Sequence, residues 1–108
     1  LRLRAVWQSL PQDAGRDSLC RLELESALGR WLDTTSPGGL KWADVALHLE
    51  QGSALLIFDG VDEVPLRMGE GRQACYPRAM LLAGLTDAAA IWQQQGNRVL
   101  ITSRPYDE

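Results

Sequence analysis

Asp59, Asp62 and Glu63 lie within five residues of one another, in the run Asp59-Gly60-Val61-Asp62-Glu63. Carboxylates are hard oxygen ligands, and Mg²⁺ is commonly held by one or two of them together with substrate phosphates. Directly upstream come five apolar residues, Ala54-Leu55-Leu56-Ile57-Phe58, bounded by Gly52 on one side and the turn-prone Asp59-Gly60 on the other. A short unbroken apolar run of this kind reads as a strand buried on both faces, inside a parallel sheet. Ligands of open parallel sheets bind beyond the carboxyl ends of the strands, and that is where the three acids fall. A buried strand leaving the core through a polar turn is the plainer alternative. A second run, Arg98-Val99-Leu100-Ile101-Thr102, is a short β-branched strand that ends in Ser103-Arg104-Pro105. If the two strands are neighbours, about 4.8 Å apart, Asp59 and the Thr102-Ser103-Arg104 turn emerge side by side. The planar fork of Arg104 suits a phosphate, and Pro105 biases Arg104 toward extended backbone. Arg104 could equally pair with Asp59, Asp62 or Asp107.

The elements that must position these residues can be read in order. Leu1-Arg2-Leu3-Arg4-Ala5-Val6-Trp7 opens by alternating apolar and charged residues, which predicts an edge strand. Leu10 to Gly15 reads as a loop. A helix is expected from Asp17-Ser18, either of which suits an N-cap, to about Asp33, where Thr34 to Gly39 is loop chemistry. A second helix, about Lys41 to Gln51, places Trp42, Val45, Ala46 and Leu49 on one face. It puts His48, the single histidine, on the solvated face, with Gly52 as its stop. Residues 66–76 read as a loop, and Pro77 suits the first turn of a third helix that ends before Gly96. Gly84 and Thr86-Asp87 are candidate breaks within it. Strand, helices, strand, helix, strand favours an α/β fold with three parallel strands and connecting helices. The four tryptophans, Trp7, Trp31, Trp42 and Trp92, read as core.

One hundred and eight residues suit a single small domain. A hydrophobic content of 45% and a charged content of 23% are those of a folded chain. The net charge of −3 offers neither a basic surface for nucleic acid nor a polybasic membrane patch. Cys20 and Cys75 match no metal-ligand spacing and are expected as buried thiols in a reducing compartment. No signal peptide or bilayer-length apolar run is visible, so a cytoplasmic setting is expected. The start at Leu1, without Met and inside an expected strand, suggests a piece of something longer.

The two motifs together resemble a family. Leu55-Leu56-Ile57-Phe58-Asp59-Gly60-Val61-Asp62-Glu63-Val64 is similar to the extended Walker B segment of NACHT-type ATPases, an apolar strand followed by D-G-x-D-E. Val99-Leu100-Ile101-Thr102-Ser103-Arg104-Pro105 resembles that family's sensor segment, and Leu1-Arg2-Leu3-Arg4 the strand before Walker B. The resemblance spans nearly the whole chain. It implies residues 1–108 as part of a three-layer P-loop NTPase fold of the signal-transducing (STAND) class, ATP-driven switches that assemble oligomers. By position, Asp59 would hold Mg²⁺ through its water shell. Asp62 or Glu63 would orient the attacking water or act as general base, and Thr102, Ser103 and Arg104 would meet the nucleotide, with Arg104 sensing the γ-phosphate. Positioning and charge stabilisation dominate phosphoryl transfer, so these are the parts that chemistry needs.

One departure qualifies the resemblance. No G-x-x-x-x-G-K-[ST] phosphate loop occurs in residues 1–108. Its amides and lysine supply most triphosphate binding, so ATP would depend on the remainder of the NTPase domain. Two other functions compete. One is a non-catalytic oligomerisation scaffold that keeps the NTPase fold. The other is a metal-dependent nuclease or phosphatase, for which carboxylates from several elements are normally gathered and no second cluster is seen.

Overall fold

Leu1 lies against the middle of a strand more than fifty positions away: its amine donates to Ile57 O at 2.7 Å and its carbonyl accepts from Asp59 N at 2.8 Å. The structure, a computed structural model, describes residues 1–103. The strand that Leu1 meets is β1 (Leu55–Asp59), and the isolated bridge Arg2↔Asp59 runs parallel to it. The expected first strand goes no further. Leu3–Val6 forms a single helical turn, α1, followed by a 3₁₀ turn at Trp7–Ser9. Leu3 and Val6 are three apart and both fully buried. Over so short a run, a period of two cannot be told from an i, i+3 pair, and burial of that pair favours the turn.

Two longer helices follow, α2 (Arg21–Thr35) and α3 (Trp42–Gln51). The start of α2 is set by Cys20 rather than by Asp17 or Ser18. Glu23 accepts the Cys20 N–H at 3.2 Å, and Asp87, from a distant helix, accepts the Arg21 N–H at 2.7 Å. The first N–H groups of any helix lack internal partners, so a carboxylate brought by the tertiary fold fixes the boundary as well as a local cap does. At α3, Asp44 accepts the Lys41 N–H at 3.1 Å, and Asp33 of α2 accepts the Trp42 N–H at 2.9 Å. Gly52 ends α3 at φ 68°, as its position predicts.

A long helix, α4 (Pro77–Gln94), joins β1 to β2 (Arg98–Thr102), which pairs parallel to β1 with Leu55↔Arg98 through Asp59↔Thr102 in register. Gly84 and Thr86-Asp87 do not break α4. Gly84 is buried, and a Cβ there would stand 3.0 Å from Leu19 Cδ2, so the glycine permits close packing instead. Between β1 and α4, Met68 and Cys75 form an antiparallel bridge within the predicted loop.

Among the described residues the result is a mixed α/β fold with a two-stranded parallel sheet, and the third strand expected goes no further than the Arg2↔Asp59 bridge. The core lies on one side of the sheet. Leu56 and Phe58 are buried, and the Phe58 ring stacks on Trp92 of α4 with centroids 6.0 Å apart. β1 is not buried on both faces. Leu55 and Ile57, on the other side, are 62% and 41% exposed, and Leu100 of β2 is 51% exposed. Trp92 is buried, while Trp7, Trp31 and Trp42 pack half-buried against the core. Cys75 is buried, but Cys20 is exposed, and both are free thiols. Among the described residues no helix is long and apolar enough to cross a membrane.

Candidate functional site

The last residues of the two strands face each other across the ladder. Asp59 and Thr102 are register partners, and the Thr102 hydroxyl donates to Asp59 Oδ1. This is the juxtaposition the two motifs predict if their strands are neighbours. Period-two geometry places Asp59 and Thr102 on the same side of the sheet as Leu55, Ile57 and Leu100, the side without helices. The Asp59 carboxylate is therefore exposed. Its Oδ2 makes no protein hydrogen bond among the described residues.

A glycine turns the chain off the strand. Gly60 holds φ 89°, and its N–H donates to Thr102 O at 3.1 Å, which locks the turn onto the end of β2. The 3₁₀ turn Val61–Glu63 follows, with Val61 and Val64 buried as its anchors. The Glu63 side chain folds back over Gly60. A Cβ on that glycine would sit 3.3 Å from Glu63 Oε1. Glu63 Oε2 lies 3.6 Å from Arg4 Nη1 in a solvated pair, worth about 0.5 kcal/mol or less.

One residue of the site is silent in the sequence. Arg78, in the first turn of α4, donates from Nη2 to Asp62 O and from Nε to Val64 O, both at 2.9 Å. The guanidinium thereby clamps the acidic turn by its backbone and leaves the carboxylates of Asp62 and Glu63 out of the clamp. Its position just after Pro77 marks a helix start, but nothing in the sequence says where that helix points. Ser103 is exposed beside Thr102, and Arg104 lies outside the described residues.

Asp59, the Asp62–Glu63 turn and Thr102-Ser103 are thus gathered at one end of the sheet. Among the described residues no group of three or more His, Cys, Asp or Glu could hold a metal ion by itself. One exposed carboxylate with an uncommitted oxygen is compatible with Mg²⁺, which keeps several waters and is held in part by substrate phosphates. His48 is exposed, with its Nδ1 3.0 Å from Ser53 Oγ. An apolar groove of about 550 Å³ lies alongside the N-terminal half of β1, lined by residues of α2, α3 and α4 and by none of the acids.

Comparison of the chain with protein-family models, with curated proteins and with solved structures finds no match.

Proposed function

We propose that this chain is the Mg²⁺-coordinating and phosphate-sensing part of a NACHT-type, ATP-driven signalling or defence switch, with a P-loop NTPase fold completed by further sequence. The observation that supports it is the pairing of Asp59 with Thr102 at the carboxyl end of two parallel strands. It brings the D-G-x-D-E segment and Thr102-Ser103, the described start of the second motif, to one place. In this reading Asp59 would hold Mg²⁺ through water, and a bound Mg²⁺ would neutralise charge on the phosphate oxygens. Asp62 or Glu63 orients the attacking water, on a turn that Arg78 keeps in place. Thr102 and Ser103 offer hydroxyls to the nucleotide, and Arg104 follows the γ-phosphate. Loss of that phosphate removes the anchor of Arg104 and releases the switch. A cytoplasmic setting and oligomeric assembly belong to the same reading.

A non-catalytic scaffold is the second reading. The contact that favours it is Glu63 with Arg4, which makes this acid part of a structural turn. The full-length protein that carries residues 1–108 tells the two apart. If it is a switch, Asp59→Asn weakens Mg²⁺-dependent ATP binding, Asp62→Asn with Glu63→Gln slows hydrolysis while sparing binding, and Arg104→Ala narrows the difference between ATP and ADP states. Wild-type hydrolysis by the Asp62→Asn, Glu63→Gln double variant overturns the assigned roles. Absence of nucleotide binding by the full-length protein leaves the scaffold. The 108-residue chain alone, without a phosphate loop, is expected to bind ATP·Mg²⁺ only weakly by calorimetry.

A further inference from the structure

A second cleft, of about 470 Å³, opens where α4 begins, with Leu66, Tyr76 and Leu82 as apolar walls. Its charged lining is Arg67, Arg78 and Asp17. Arg67 is exposed and makes no hydrogen bond or ion pair among the described residues. Arg78 spends Nε and Nη2 on the carbonyls of Val64 and Asp62, and no carboxylate among the described residues pairs with its charge. Asp17 is exposed and equally unpaired. Two guanidinium groups against one carboxylate make the cleft locally cationic, on a chain whose net charge is −3.

We propose that this cleft docks an acidic segment of a partner protein, one carboxylate set between large apolar side chains. Three features lead to that occupant. The planar fork of an arginine without a carboxylate of its own matches a carboxylate through two parallel hydrogen bonds. The walls are apolar but open, with Leu66 66% and Leu82 40% exposed. Sites for small ligands bury 70–90% of the ligand, which walls so open do not do, whereas a protein segment extends its contacts beyond the cleft. The surface one turn along α4 suits that extension. Thr86 turns its hydroxyl back onto Leu82 O, and Asp87 is taken by the Arg21 N–H, so neither competes for the segment. The docking does not rest on the nucleotide reading above.

The test probes an array of immobilised peptides with the 108-residue chain. Each peptide has a central Glu, two residues on either side drawn from Leu, Ile, Phe and Trp, and Ser at both ends. Matched sets carry Gln or Lys at the centre. The Glu set is expected to retain the chain. In solution, by fluorescence anisotropy, its best members should bind about fivefold or more tighter than their Gln counterparts, with the Lys counterparts weaker still. Arg67→Gln and Leu82→Ser should each weaken binding by about fivefold or more. Arg67→Lys should keep part of the affinity, and Asp17→Asn should tighten it. Arg67 and Leu82 are exposed, and an unchanged urea midpoint confirms that their variants fold. Ile57→Thr with Leu100→Thr, on the open side of the sheet, should leave the affinity as it was. The proposal is overturned if no Glu-centred peptide binds, or if the Gln or Lys set binds equally well. Indifference to Arg67→Gln, or loss of binding with the sheet-side pair, overturns it as well.

Discussion

At the scale of single residues, the acids could be read in the sequence because their spacing along the chain is their signature. Asp59 at a strand tip follows from an apolar run ending in Asp-Gly, and its meeting with Thr102 follows from two such runs in parallel. Arg78 could not be read in the same way, since a guanidinium that clamps two carbonyls is chosen by tertiary placement. Asn97 is a similar case. Among the described residues it is the buried polar side chain of the core, with Oδ1 accepting the Ala54 N–H and Nδ2 donating to Leu49 O and Trp92 O, each at 3.0 Å. It joins the end of α3, the start of β1 and the end of α4. Leu49 O keeps Gly52 N–H and Trp92 O keeps Asn97 N–H as donors, so Asn97→Ala orphans chiefly the Ala54 N–H. We expect a loss of about 2 kcal/mol in urea unfolding. A second residue-scale expectation concerns acid. Arg16 donates to Glu23 and holds its carboxyl below the ordinary 4.5, with the Cys20 N–H adding to the effect. A carboxyl lowered in the fold gives stability that is complete above its ordinary pKa and is lost as pH falls through the lowered value. Glu23→Gln should therefore lower the urea midpoint at neutral pH, converge with the unsubstituted chain in acid, and so flatten the fall below pH 4.5.

At the scale of elements, legibility followed length and punctuation. α3 with Gly52, α4 with Pro77, and β2 were predicted close to where they lie, because a long apolar stripe or a β-branched run bounded by glycine or proline leaves few alternatives. α1 was misread because four alternating residues fit a helical turn equally well. The start of α2 was misplaced because Asp87 caps it from another helix. Gly84 looked like a break but serves packing against Leu19. Gly52 is the element boundary with the sharpest requirement. Its φ of 68° disfavours a side chain, and a Cβ would stand 2.1 Å from Gln95 O, a backbone atom that cannot swing aside. Gly52→Ala is expected to cost about 3 kcal/mol, combining left-handed strain with overpacking at the α4–β2 turn. A thermal melt of the variant checks it, and an unchanged midpoint would show that the α3 and α4 ends separate readily.

At the scale of the whole molecule, the side of the sheet opposite the helices governs behaviour in solution. Connections between parallel strands are right-handed in about 98% of cases. Strands laid down sequentially across a sheet therefore carry their helices on one side, which predicts an uncovered apolar side from the sequence alone. The structure agrees among the described residues: Leu56 and Phe58 are buried, while Leu55, Ile57 and Leu100 stand exposed together. What could not be read was which face of β1 would be left open, since a continuous apolar run gives no hint of which face lacks a cover. A contiguous apolar surface beside an unpaired edge drives association, and the net charge of −3 offers little repulsion against it. We expect the 108-residue chain to self-associate in sedimentation velocity as its concentration rises. Ile57→Thr with Leu100→Thr puts β-branched strand residues at both positions, removes apolar surface from that side only, and should restore a monomer. Both positions are register partners on the open side, so the core side supplies the control. Leu56→Thr should destabilise the fold without reducing association. A monomer at all concentrations in the unsubstituted chain would mean that this side of the sheet is not sticky enough to govern assembly.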